Sequence, residues 1–175
     1  MKKAIVEQSD PKKQIQIADL LDVPEALPVV GGWIHEEWGG FSGRTLEQTF
    51  SRFREGIIRG RLPITLLALR GREPLGLATL REKDSVDWYP GVMPWICNVY
   101  VKKEARGQGL ASKLCRALEP LAGDLGFSIL YLATELEDSL YKRIGYEIFH
   151  QLQRGGETFY VMRRNLPTSP QAEKK

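Results

Sequence analysis

The chain has 175 residues, of which 42% are hydrophobic and 27% are charged, an ordinary balance for one globular domain with a single core. Its 25 basic and 22 acidic residues leave a net charge of +3, and the basic residues are spread along the chain, which argues against nucleic acid as a partner. The apolar runs fall far short of the roughly 20 residues that cross a bilayer, and the charged start is unlike a secretory signal. We therefore expect a cytoplasmic protein without a membrane partner.

Cysteine and histidine are scarce, with two of each in the chain. Cys97, Cys115, His35 and His150 are too few and too scattered for a metal site or a disulfide framework, so we expect no metal. We expect one domain over residues 1–166. The remaining segment, 167–175, is rich in Pro, Ser and Lys and is expected to be a flexible tail.

The first third of the chain predicts a strand and two helices. Polar and apolar residues alternate over 14–18, as in a short strand. Apolar positions 26, 30, 34, 38 and 41 then follow helical spacing, and Gly31 and Gly32 weaken that helix locally. Thr45 can cap a second helix, which ends at Gly60.

The rest of the chain predicts a sheet interrupted by two helices. Residues 64–70 and 75–81 form a hairpin, and 95–101 is a further strand. The later elements are a helix over 109–125 that Pro120 should kink or interrupt, a strand over 127–134, a helix over 135–143, and a closing hairpin of 146–153 with 158–164. The fold class is α/β (α+β), with a mixed, mostly antiparallel sheet of about six to seven strands and helices on both faces. An exposed sheet edge expected near 158–164 would allow a homodimer.

The turn before the 109–125 helix carries the clearest chemical signal. Gly107 and Gly109 stand where the first helical N–H groups lack partners and the helix dipole favours negative charge. Glycine allows close approach of an anion, and Arg106, Lys102 and Lys103 add positive charge. A phosphate site is one interpretation, and a simple tight turn is the other.

Two other phosphate-binding patterns fit less well. The P-loop pattern is absent from the chain. The dinucleotide fingerprint is met at Gly107 and Gly109, but Ser112 takes the place of its third glycine. About 65 residues follow, too few for a complete dinucleotide-binding sheet.

Val99-Tyr100-Val101, followed by Arg106, Gly109 and Ala111, resembles the coenzyme A-binding motif of the GNAT acetyltransferase superfamily. Downstream, the sequences of 130–134 and 140–146 are similar to that family's next strand and its helix ending in Gly-Tyr. The resemblance implies an acetyl-coenzyme A-dependent N-acetyltransferase that moves an acetyl group to a primary amine by direct attack in a ternary complex.

The resemblance also implies residue roles. A bulge would splay the 95–101 strand from its neighbour, and the acyl-pantetheine chain would lie in the gap. The cofactor-binding residues would be Val99, Tyr100, Val101, Arg106, Gly107, Gln108, Gly109, Leu110, Ala111, Ser112, Thr134 and Tyr141. Thr134 stands where the family often carries Asn.

Three catalytic residues are expected. Tyr141 matches the family's tyrosine near the thioester sulfur, where it would donate a hydrogen bond to developing negative charge. A carboxylate must assist loss of the amine proton, and we rank Glu37 and Glu82 ahead of Glu36 and Asp84.

The acceptor is expected to be an amine-bearing small molecule or a protein amine. Trp33 and Glu37 share a helix face and are the better pocket candidates, whereas Trp38, on the face of Ile34, is expected to pack in the core. Two other functions stay open, a non-catalytic coenzyme A-binding module and a dinucleotide-binding protein.

Overall fold

The computed structural model describes residues 14–54, 58–84 and 86–167. The predicted tail beyond Pro167 and the first thirteen residues of the predicted domain lie outside this part of the chain. The strands and helices are β1 (Ile15–Asp19), α1 (Leu27–Ser42), α2 (Leu46–Arg54), β2 (Ile64–Arg70), β3 (Glu73–Arg81), β4 (Trp95–Val101), α3 (Leu110–Asp124), β5 (Ile129–Thr134), α4 (Leu140–Arg143), β6 (Glu147–Arg154) and β7 (Glu157–Asn165).

The seven strands form one sheet in the order β1-β2-β3-β4-β5-β7-β6. All neighbours are antiparallel except β4 and β5, which are parallel. The mixed, mostly antiparallel sheet predicted from the sequence is therefore confirmed. Among the described residues, no helix combines the length and the apolar character needed to cross a bilayer.

Helices cover both faces of the sheet, as predicted. Successive residues of β2 alternate between the faces, so that Leu66 packs with the α3 side and Leu67 with the α1 and α2 side. Such a strand is buried on both faces, which explains the nearly continuous apolar sequence of β2 and β3. The α3 face contributes Leu114 and Leu118, and the α1 face contributes Val30.

Neither Pro120 nor Gly31 interrupts the helix in which it lies. Helix α3 is not interrupted at Pro120, which is exposed and lacks the N–H for one hydrogen bond of the helix. Helix α1 also continues through Gly31. A Cβ at Gly31 would lie 2.3 Å from Cε1 of Phe50, so this glycine lets α1 and α2 pack closely.

Two predictions are wrong: the extent of the helix before β6 and the position of a sheet edge. The helix predicted over 135–143 is confined to α4, because the amide of Leu136 donates to Thr134 Oγ1 at 3.2 Å and holds a turn there. The edge predicted near 158–164 is not exposed, because β7 pairs with both β5 and β6. The edge strand at this end of the sheet is β6.

Candidate active site

A bulge bends β4 at the middle of the sheet. Leu77 of β3 faces Tyr100 and Thr79 faces Cys97, so Asn98 and Val99 together oppose one residue of β3. Asn98 has a φ of 53°, the left-handed region that asparagine tolerates better than most residues. The bulge turns the second half of β4 away from a regular ladder.

The bulge accompanies an opening between β4 and β5. The two strands share a single register pair, Trp95 with Tyr131, next to a hydrogen bond of 3.1 Å from the Tyr131 amide to the Pro94 carbonyl. Beyond that pair the strands are no longer in register. A cleft of about 600 Å³ occupies the opening, and Val99, Thr134 and Tyr141 line it. The splayed strand implied by the resemblance is therefore present.

A glycine turn follows β4 and leads into α3. Gly107 and Gly109 have φ of 78° and 70°, and nothing lies within 4 Å of an added Cβ at either. The first bond of the helix runs from the Lys113 amide to the Gly109 carbonyl at 3.0 Å, so the preceding amides have no acceptor within the helix. Arg106 Nε donates to the Val101 carbonyl at 2.9 Å and anchors the turn to the strand. This turn can bind an anion through main-chain N–H groups.

The cations beside the turn differ from those expected. Lys102 is paired with Glu73 on β3, and this pairing lowers the pKa of the Glu73 carboxyl. Arg70, at the end of β2, donates from Nη2 to Gln108 Oε1 at 3.2 Å. Arg70 carries no signal in the sequence, because strand pairing alone brings it beside a turn 38 residues away along the chain.

Tyr141 lies in the wall of the cleft at the start of α4. Its main-chain carbonyl accepts from the Tyr146 amide at 2.9 Å, which closes the short helix. Burial raises the pKa of the Tyr141 phenol above its ordinary value, with smaller contributions from Cys115 and Cys97. The side chain is therefore a protonated donor throughout the physiological range.

The predicted carboxylates separate in the structure. Glu36, Glu37 and Glu82 are all exposed, and of these three only Glu37 lines the cleft. Asp84 also lines the cleft, and its Oδ2 accepts from Trp88 Nε1 at 2.7 Å. Glu135, which follows β5, completes the acidic groups of the wall and carries no sequence signal that could have found it.

Trp33 and Trp38 both pack against the core on the α1 side, as expected for Trp38, but they differ in their relation to the cleft. Trp38 lines the cleft. Trp33 lies outside the wall and packs on Tyr100, with ring centroids 5.2 Å apart. Tyr100 also packs edge-on against Trp38, with ring centroids 6.4 Å apart. Tyr100 therefore supports Trp38 and does not itself line the cleft.

Three arginines from the first half of the chain also line the cleft. They are Arg44 between α1 and α2, Arg52 of α2, and Arg81 at the end of β3. Arg81 donates to the Arg52 carbonyl at 3.4 Å, and its Nε is buried without a partner. Among the residues that the structure describes, no group of three or more His, Cys, Asp or Glu side chains could hold a metal ion.

The fold is shared with solved acetyltransferase structures. An aminoglycoside 6'-N-acetyltransferase complexed with coenzyme A is similar over 89% of this chain and 99% of its own, with 14% identity and a TM-score of 0.67. The aminoglycoside 6'-N-acetyltransferase from Enterococcus faecium matches over 89% and 99%, with 15% identity and a TM-score of 0.64. Ard1 from Thermoplasma volcanium matches over 87% and 98%, with 16% identity and a TM-score of 0.65. The chain therefore has the fold of these acetyltransferases.

The family follows from the sequence match. The model of the acetyltransferase (GNAT) family matches residues 31–146, well over half of the chain, and the chain belongs to that family. This confirms the resemblance seen between Val99 and Tyr146. No curated protein sequence is similar enough to match the chain.

Proposed function

We propose that the protein transfers the acetyl group of acetyl-coenzyme A to an amine by direct attack within a ternary complex. The observation that carries this proposal is the opening between β4 and β5, which extends from the cleft beside Tyr141 and lies on the strand that ends at the glycine turn. At the glycine turn, main-chain N–H groups can bind an anion. In the cleft, Tyr141 supplies a protonated phenol and Glu37 supplies a carboxylate. A binding module without catalysis has no need of the last two groups.

Acetyl-coenzyme A fits the residues present, and it supplies an acetyl group activated as a thioester. The main-chain groups of β4 near Val99 and Val101, which lie beyond the single pair with β5, would hold its pantetheine chain; of these, the Val101 carbonyl already accepts from Arg106. The amides from Gly107 to Ser112 would hold its pyrophosphate, because they lead into a helix and Gly107 and Gly109 leave space for the phosphates. The Arg106 amide of the predicted set already donates to the Lys103 carbonyl at 3.3 Å. The Thr134 hydroxyl, which already accepts from Leu136, keeps its proton available for a further hydrogen bond.

Glu37 is the residue that we assign to removal of the amine proton, directly or through a water. An amine with a pKa of about 10.4 is neutral in only about one molecule in 2,500 at pH 7, equivalent to roughly 4.6 kcal/mol. A carboxylate in the cleft recovers part of this by accepting the proton as the bond forms. Asp84 is a weaker candidate because it already accepts from Trp88.

Tyr141 is assigned to the departing sulfur. A phenol of pKa about 10 is a weaker acid than a thiol of pKa about 8.5, so full proton transfer is uphill by about 2 kcal/mol. Burial raises the pKa of Tyr141 further and steepens this cost. We therefore propose that Tyr141 donates a hydrogen bond that stabilises developing negative charge, together with a main-chain N–H near Val99.

The acceptor is proposed to be an amine-bearing small molecule or a protein amine. The location is proposed to be the cytoplasm, which the free, buried thiols of Cys97 and Cys115 support, because such thiols suit a reducing compartment.

The first test combines binding with turnover. Acetyl-coenzyme A should raise the melting temperature, and NAD and ATP should not. Thiol release from acetyl-coenzyme A should then depend on an added amine from a panel of amino acids, peptides, polyamines and aminoglycosides. A stabilising effect of NAD alone would contradict the proposal. Stabilisation by acetyl-coenzyme A without thiol release from any amine would leave a binding module as the better description.

Replacing Glu37 by Gln should lower kcat/KM about 100-fold at pH 7, because the acceptor amine must then lose its proton to bulk water. The deficit should shrink as the pH approaches the amine's own pKa of about 10.4, where free amine becomes abundant. The measurement is the pH profile of kcat/KM by thiol release.

Glu36→Gln is the matched control, because Glu36 is the neighbouring residue of α1 but lies outside the cleft wall. It should keep the wild-type profile. A Glu37→Gln deficit that stays constant with pH would remove Glu37 from proton transfer.

A further inference from the structure

The three arginines of the cleft converge from separate elements, and we call Arg44, Arg52 and Arg81 the arginine cluster. Arg81 follows Thr79 on β3, and both point to the sheet face that α1 and α2 cover. Arg52 comes from α2, and Arg44 from the connection before it. The pKa of Arg44 is lowered first by burial and then by Arg52 and Arg81, so the three positive charges are close enough to act on one another.

The cluster has little internal compensation. The ion pairs among the described residues join Arg59 to Asp22, Lys102 to Glu73, Arg163 to Glu147 and Arg164 to Glu119, and none includes a member of the cluster. Burial lowers the pKa of Arg81 as it does that of Arg44, and the acidic group Asp84 opposes this lowering in both. Of the three carboxylates that line the cleft, only Asp84 acts on the cluster in this way, and it is itself hydrogen-bonded to Trp88. Glu37 and Glu135 belong to none of these ion pairs.

The guanidinium of Arg81 is only partly hydrogen-bonded within the chain. Its Nε is buried without a hydrogen-bond partner, although its Nη2 reaches the Arg52 carbonyl. A buried unpaired donor on a charged group is costly, and a guanidinium stays protonated, so an anion bound by the other nitrogens of Arg81 would stabilise this charge. Guanidinium groups match carboxylate and phosphate oxygens best, because their donors form a planar fork.

We propose that the arginine cluster is the binding site for an anionic group of the acceptor, which is therefore an amine that also carries a carboxylate or a phosphate. This inference rests on the proposed function, because it assigns the cleft to the acceptor. The amine end lies towards Glu37 and Tyr141, and the anionic end lies towards Arg52 and Arg81.

The strand register indicates how far apart the two ends of the acceptor are. Arg81 pairs with Trp95, at the start of β4, whereas the proposed thioester site is near Val99. This separation is on the order of 10 Å along the strand. The anionic group is therefore several bonds from the amine, as in an ω-amino acid or a phosphorylated amino alcohol. The arginine cluster repels a polycation at this end of the cleft.

The test compares matched amines by thiol release from acetyl-coenzyme A. One pair is an ω-amino acid and its amide, and the other is a phosphorylated amino alcohol and the parent amino alcohol. The anionic member of at least one pair should have a kcat/KM about tenfold higher, the value of one charge-assisted hydrogen bond. The pair with the larger ratio identifies the preferred anion.

Arg52→Gln should bring that ratio close to one. Arg54→Gln is the matched control, because Arg54 is an exposed residue of the same helix outside the cleft wall, and it should keep the wild-type ratio. Neutral members that match or exceed the anionic ones in the wild-type protein would overturn the inference and leave acetyl transfer in place. A ratio that survives both Arg52→Gln and Arg44→Gln would overturn it as well.

A binding measurement separates the two proposals if no amine is acetylated. The anionic members should raise the melting temperature of the acetyl-coenzyme A complex in the wild-type protein and not in Arg52→Gln. That result supports the anion site while the proposed function fails. No shift from either anionic amine in the wild-type protein contradicts the inference.

Discussion

Gly109→Val should raise the dissociation constant of acetyl-coenzyme A about a thousandfold, the loss of two charge-assisted hydrogen bonds of about 2 kcal/mol each. Gly109 begins α3 with a φ of 70°, where a β-branched residue is strained, and its Cβ would project into the space that the pyrophosphate must enter. The measurement is calorimetric titration with acetyl-coenzyme A.

Strain alone must be distinguished from blocked binding. Gly155 has a φ of 61° in the turn between β6 and β7, with nothing within 4 Å of an added Cβ. Backbone strain in Gly155→Val should therefore lower the free energy of unfolding by about 1–2 kcal/mol, as it should in Gly109→Val. The affinity of Gly155→Val for acetyl-coenzyme A should stay intact. Equal affinity in the Gly109 and Gly155 variants would remove the glycine turn from the binding site.

Tyr141→Phe should lower kcat about 300-fold and change the affinity for acetyl-coenzyme A by less than about twofold. The substitution keeps the ring and removes one donor that acts in the transition state, an effect of about 100- to 1,000-fold. Because burial raises the pKa of Tyr141, the wild-type enzyme should show no loss of rate from ionisation of this phenol at any pH below 10. Steady-state thiol release gives kcat, and titration gives the affinity.

Tyr146→Phe is the control for a lost phenol at the same place in the fold. Its ring lies 6.2 Å from that of Tyr141, outside the cleft wall, and its hydroxyl is buried without a hydrogen-bond partner. Removing that hydroxyl should leave kcat unchanged and the stability equal or higher, since no bond is lost. A parallel fall of kcat in both variants would indicate a packing defect, and unchanged kcat in Tyr141→Phe would remove this residue from the mechanism.

The glycine turn and the sequence around Tyr141 could be predicted because each is local. Strand, turn and helix follow one another over 95–124, so the spacing of Gly107 and Gly109 already places amides at a helix start. The element order was also predictable, because the periods of helices and strands are read over short windows. The boundary error before α4 has a local cause as well, a side-chain hydrogen bond from Thr134 that periodicity does not record.

The composition of the cleft wall was decided by packing. Glu36 and Glu37 are adjacent in sequence, and only the rotation of α1 against the sheet selects Glu37. The same rotation brings Trp38 to the wall and Trp33 onto Tyr100. Sheet order likewise buried β7 between two neighbours and left β6 as the edge.

The sequence by itself determined the fold class, the family and the anion-binding turn, because these depend on residues within a few turns or strands of one another. The tertiary structure alone decided which carboxylate faces the cleft and gathered Arg44, Arg52 and Arg81 there. These arginines belong to elements that meet only when α2 packs beside the end of β3. Charges brought together across such distances in sequence leave no pattern in the chain, which is why the proposed acceptor side of the site emerged from packing and not from a motif.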